Sequence, residues 1–366
     1  LITTSSCIVD NNSSSRQTRD YKPGAGFHRS PTEKRTHATI LDHFQLRDQL
    51  ARAAATLAEQ GVLLGTSSWK YPGWLGLLYD EQRYLYRGKV AKSRFEKGCL
   101  AEYAEIFKTV CVDAGYYRFP TEKYIAGLVS QVPEDFKFGF KVTDEITIRK
   151  FTRLPRHGDR AGKLNEHFLN ADLFQQAFLA PCEPFKKNIG VLMFEFSRFY
   201  PGEFKRGREF VEQLDEFLNA LPKNDGWQFG VEIRNRSFLE PAYFEMLHRH
   251  GVTHVFNNWT RMPAVGEQLE LEGSMTTDFT AARFLLKAGR AYQEAVDNFQ
   301  PYDSTKEVNE DARQAGATLI KRLIDAHAPR KKSKRPSFLF VNNRLEGNAL
   351  LTLMAMAQYA GVFESE

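Results

Sequence analysis

No stretch of this 366-residue chain approaches the roughly 20 continuous apolar residues a membrane-crossing helix requires, which excludes an integral helical membrane protein. Leu1 to Asp20 holds no basic segment leading into an apolar one, so the layout of a secretory signal is missing and a cytoplasmic location is expected. Cysteine is scarce. Cys7, Cys99, Cys111 and Cys182 lie far apart with no Cys-x-x-Cys spacing, which argues against a disulfide framework and a structural zinc site and for a reducing compartment. Histidines are few and badly placed for a metal: His28, His37 and His43 precede the fold, His157 and His167 fall in a loop, His248 and His250 end a helix, and His327 adjoins a basic run. Only His254 falls on a predicted strand, where a lone histidine reads as a core residue. No cofactor is evident. No excess of positive charge is spread along the chain either. Arg330, Lys331, Lys332, Lys334 and Arg335 carry the whole net charge of +5, too narrow a patch for a nucleic-acid surface.

What is present is globular usage, 42% apolar and 26% charged. Residues 1–41 are polar and without apolar period, and are expected to be a disordered or loosely packed leader. From Asp42, the recurrence of Phe44, Leu46, Leu50, Ala53, Ala54 and Leu57 at three and four marks one helix face, and Gly61 sits where it stops. Short apolar runs then alternate with amphipathic stretches, the signature of parallel βα units. Eight strands are predicted, at 62–65, 109–113, 137–142, 189–194, 228–233, 253–256, 280–286 and 337–341, with helices at 100–107, 121–129, 171–179, 208–221, 241–250, 312–326 and 347–360. No Gly-x-Gly-x-x-Gly follows the first strand, and polar residues end nearly every strand, so an open doubly wound sheet is disfavoured. The fold expected is a TIM-type (β/α) barrel of seven or eight parallel strands, one domain over 42–366.

The strand ends that would form its active face are unusually polar. They carry Ser67 and Trp69, Asp113 with Tyr116 and Tyr117, Lys141, Glu195, Glu232 with Arg234, Asn257 with Asn258 and Trp259, and Asn342 with Asn343. The stretches Gly65-Thr66-Ser67-Ser68-Trp69, Tyr71-Pro72-Gly73-Trp74, Tyr116-Tyr117-Arg118-Phe119-Pro120, Val231-Glu232-Ile233-Arg234 and Phe340-Val341-Asn342-Asn343 follow one another in an order that resembles the YecE-like family, domain of unknown function 72, a bacterial-type family. The resemblance implies a β/α barrel and assigns no activity. Cys111 and Asp113 stand where that family usually carries Glu and Asn, and Glu195 where it usually carries Gln. Residues 279–301 replace a shorter family segment, which implies a distinct subgroup.

Glu232 and Arg234 alternate on one strand and so share a face. They read either as a buried ion pair or as a general base beside an anion clamp. Glu195 and Glu232 end adjacent strands; close approach would raise one pKa and give an acid–base pair suited to a sugar, whereas a turn toward Arg198 would make Glu195 a surface pair. Lys141 could form a Schiff base if burial lowered its pKa, or stay charged among acids. Cys111 reads as a core residue. A weakly held Mg²⁺ on Asp113 and Glu232 is the one metal reading left. Three uses fit such a rim. The first is a hydrolase, lyase or isomerase of a sugar-like or phosphorylated small molecule, with Glu232, Glu195 and Lys141 catalytic and Arg234, Asp113, Ser67, Trp69, Tyr117, Asn257, Asn342 and Asn343 binding. The others are nucleic-acid processing by analogy to repair barrels, which is not favoured, and non-catalytic metabolite binding. The sequence gives no oligomeric state.

Overall fold

Val62–Thr66, Gln228–Ile233 and Ser337–Val341 are buried at every position, which is what strands covered outside by helices and filled inside by one another's side chains demand. The computed structural model describes residues 37–204, 206–223, 225–327 and 335–362. Most of the predicted leader and the basic run at 330–334 lie outside them. Within them, α1 (His37–Glu59) begins before the predicted leader ends, because Ala38 and Leu41 continue the helix-forming run upstream.

The strands are β1 (Val62–Thr66), the short hairpin β2 (Leu85–Tyr86) and β3 (Lys89–Val90), β4 (Thr109–Val112), β5 (Lys137–Lys141), β6 (Ile189–Phe196), β7 (Gln228–Ile233), β8 (Thr253–Asn258), β9 (Ala281–Phe284) and β10 (Ser337–Val341). Eight of them form one parallel sheet in the order β1-β10-β9-β8-β7-β6-β5-β4. It curls into a nearly closed barrel. The helices after α1 are α2 (Lys92–Tyr103), α3 (Glu122–Val129), α4 (Asp144–Thr147), α5 (Ala171–Leu173), α6 (Gly207–Asn219), α7 (Pro241–His250), α8 (Val265–Leu269), α9 (Tyr292–Phe299), α10 (Glu310–His327) and α11 (Ala349–Tyr359). Local chemistry sets their ends: Thr121 and Asn348 accept from backbone N–H groups of the first turns of α3 and α11, and Gly251 closes α7 at φ 63°. None of the described helices is long and apolar enough to cross a membrane.

Phenylalanine fills the lower bore. Phe338 and Phe340 of β10 stack at 6.1 Å and reach across to β5 and β6, where a Cβ on Gly139 or Gly190 would lie 2.7 Å from their rings. The β5–β6 register slips between Phe138 and Phe140, so β6 is bulged there. Leu63, Cys111, Val191, Met193, Val255 and Ala281 complete this apolar floor.

The barrel closes without a ladder between β1 and β4. The Tyr103 hydroxyl stands in for it, accepting from the Thr66 N–H at 3.0 Å and donating to the Thr109 carbonyl at 3.1 Å. Both groups are buried and would otherwise be unmet. Tyr103→Phe is therefore expected to cost about 1–3 kcal/mol, read as a lower urea midpoint at unchanged slope; an unaltered midpoint would show that the seam is held by packing alone.

Candidate functional site

Strand alternation carries the inward face from the apolar floor to a charged layer above it. On β6, Val191 and Met193 line the bore and Glu195 follows; Gly230 and Glu232 repeat the step on β7. Glu195 and Glu232 are register partners, a pairing of like charges that is unfavourable by itself. Cations resolve it. Glu195 Oε2 accepts from Lys141 Nζ at 2.7 Å, from Arg234 Nη2 at 2.8 Å and from Arg283 Nη1 at 2.8 Å. Glu232 Oε1 accepts from Arg234 Nη2 at 3.0 Å and Nε at 3.1 Å, and its Oε2 accepts from Arg283 Nη1. Arg283 Nη2 continues to Asp113 Oδ1 at 3.2 Å. Three carboxylates and three cations thus neutralise one another. Five of the six are buried, Glu232 completely, whereas the Asp113 side chain is 31% exposed.

Burial alone would raise the Glu195 pKa, but Arg234, Lys141 and Arg283 outweigh it and hold the group far below the usual carboxylate range. Burial likewise acts to lower Lys141, and Glu195 and Asp113 overcome it, pushing the ammonium above its ordinary value. Of the alternatives for these residues, the geometry favours the ionic ones: guanidinium groups lie between Glu195 and Glu232 and hold Glu195 low, and Lys141 is paired with Glu195, the arrangement of a charged lysine among acids. Glu195 does not turn out to Arg198. For the magnesium reading, the Arg283 guanidinium bridges Asp113 and Glu232 and already supplies the charge; among the described residues no group of three or more His, Cys, Asp or Glu is placed for a metal ion.

Aromatic faces cover the layer: Lys141 Nζ lies 3.9 Å from the Tyr116 ring centre, and the Arg234 guanidinium 3.9 Å from that of Trp259. Tyr117 is exposed, with Arg156 over its ring at 5.1 Å. The remaining predicted residues divide. Among the described residues Ser67 Oγ, Trp69 Nε1 and Asn257 Oδ1 are buried with no hydrogen-bond partner, while Asn257 Nδ2 donates to the Ile233 carbonyl at 3.2 Å. Asn342 and Asn343 brace the loop after β10, where Asn342 Oδ1 accepts from the Arg344 N–H at 3.0 Å and Asn343 Oδ1 from the Ala349 N–H at 2.7 Å, while Asn343 Nδ2 is buried with no partner among the described residues. Cys111 is a buried wall residue whose thiol burial pushes up. His254 is a core residue beside Tyr243 and Gln268, lowered by burial to about 4.

Sequence reasoning missed Arg283, Arg236 and Arg261. Arg198, Arg234, Asn235, Arg236, Ser237 and Arg261 line a cleft of about 500 Å³ past the ends of β6, β7 and β8. No acidic side chain lines it, and among the described residues Arg198, Arg236 and Arg261 form no ion pair. Arg234 joins this cleft to the charged layer.

The family model "Protein of unknown function DUF72" matches residues 63–365. The chain belongs to the DUF72 family. Among solved structures, a DUF72 protein from Enterococcus faecalis is 18% identical with a TM-score of 0.53, the match covering 83% of this chain and 97% of that one. A second structure from that organism is 15% identical with a TM-score of 0.51 over 83% and 98% of the two chains. A Thermotoga maritima DUF72 protein is 18% identical over 83% and 99%, with a TM-score of 0.48. No curated protein matches. At 18% and 15% identity the two Enterococcus faecalis structures share the fold and assign no activity.

Proposed function

We propose that this DUF72 protein binds a phosphorylated small molecule at the carboxyl-terminal mouth of its barrel, with the phosphoryl group in the arginine cleft. The cleft carries the reading: Arg198, Arg236 and Arg261 bring guanidinium groups to one concavity where, among the described residues, no carboxylate neutralises them. Guanidinium forks match phosphate oxygens two at a time, and one carboxylate would leave most of that charge unmet. A volume of about 500 Å³ lies within the small-ligand range. In this reading Glu195 and Glu232, considered above as acid and base, serve as positioning residues that hold Arg234 at the cleft wall, and any acid–base step falls to a group that can meet the ligand.

Titration calorimetry with inorganic phosphate and with sugar monophosphates tests this. Micromolar to millimolar binding is expected, weakened about tenfold or more in Arg236→Ala/Arg261→Ala, the loss of at least one charge-assisted hydrogen bond. Absence of any phosphate-dependent heat in the unaltered protein overturns the proposal. Tight binding of DNA or RNA with a steep salt dependence, and none of small phosphates, would favour nucleic-acid processing instead.

A further inference from the structure

We infer that the ligand is a phosphorylated sugar or polyol laid across the mouth, its phosphate in the arginine cleft and its hydroxyl end received by Asp113. This rests on the phosphate reading above and adds the second end of the ligand. Among the three carboxylates of the charged layer, Glu195 and Glu232 are buried and held by the layer's cations, out of reach of a ligand in solution. Asp113 differs. Its Oδ1 accepts from Arg283 Nη2 at 3.2 Å and lies 3.7 Å from Cys111 Sγ, whereas no described residue bonds its Oδ2, and the side chain is open to solvent.

An ionised carboxylate oxygen with nothing bound to it accepts and cannot donate, and it repels a second anion. It therefore suits the hydroxyl end of a compound whose charge sits elsewhere. A second observation supports this. Two steps beyond the bore-lining Leu63, alternation turns Ser67 to the same side of β1, the strand next to β4 across the seam, and its buried Oγ has no partner. Asn257 Oδ1 and Arg283 Nε, neighbours in the β8–β9 register, are also buried and unmet. Unmet polar atoms at that density cost stability unless a ligand or water satisfies them. The two ends are linked through Arg234, which shares Glu195 Oε2 with Arg283, and Arg283 reaches Asp113.

The experiment compares inorganic phosphate with glucose 6-phosphate, ribose 5-phosphate and glycerol 3-phosphate on the unaltered protein, Asp113→Asn and Asp113→Ser, by calorimetry. At least one of the three organic phosphates is expected to bind the unaltered protein about tenfold or more tightly than phosphate, and that preference is expected to vanish in both variants while phosphate is still bound. The serine variant serves if the asparagine one does not fold. An unaltered protein that binds phosphate with no preference for any of the three, or variants that keep the preference, overturns the assignment of Asp113. Failure to bind phosphate in any form would instead remove the reading on which it rests.

Discussion

Glu195→Gln is expected to lower the unfolding free energy by about 3–5 kcal/mol at neutral pH, the cost of removing one partner from a buried ionic cluster. Glu195 is the hub. Its Oε2 takes hydrogen bonds from Lys141, Arg234 and Arg283, so the amide leaves three buried cations facing two carboxylates. Glutamine keeps the shape, which assigns the loss to charge. The pH dependence has a definite sign. The folded-state pKa lies below the unfolded value of about 4.3, so the contribution is complete above that value and is lost as pH falls through the folded pKa. The stability gap between the two proteins should therefore be constant from pH 7 to about 5 and narrow below about 4. Urea unfolding across that range measures it, and equal midpoints at pH 7 would show the cluster to be dispensable.

Gly65→Ala is expected to be nearly as damaging for a different reason. A Cβ there would stand 2.4 Å from the Thr109 carbonyl oxygen and 2.9 Å from its methyl carbon. Backbone cannot give way as a flexible side chain can, so β1 must move off β4 and draw Thr66 from the Tyr103 hydroxyl. A loss of about 3 kcal/mol or more follows from overpacking together with a strained bond to a buried N–H. Thermal unfolding would show it, and an unchanged transition would mean that the seam opens freely.

The barrel was legible because each of its strands is a compact apolar run of four to eight residues, and Gln228–Ile233 and Ser337–Val341 emerge with the predicted bounds. Boundaries slipped where apolar character continued past a strand or helix end, as at Phe196, or where helix residues were polar, as in Lys92–Tyr103. The short Tyr292–Phe299 helix was not foreseen. Glu195, Glu232, Arg234, Lys141 and Asp113 were legible as inward residues at strand ends. Their partner was not, because Arg283 is a lone charge inside an apolar run, Ala281 to Leu286, with no polar neighbour to mark it. A charge that cannot leave a buried strand requires partners, and that was the available signal. Arg236 and Arg261 carry no signal in the sequence, since only the folded chain shows that among the described residues no acid pairs with them.

With Phe338 and Phe340 corking the bore and Gly139 and Gly190 admitting them, the cylinder is a cup instead of a pipe. Whatever settles on the charged layer arrives and departs through the same aperture, so two occupants cannot pass one another, and the departure of one compound sets the earliest moment at which the next can be seated.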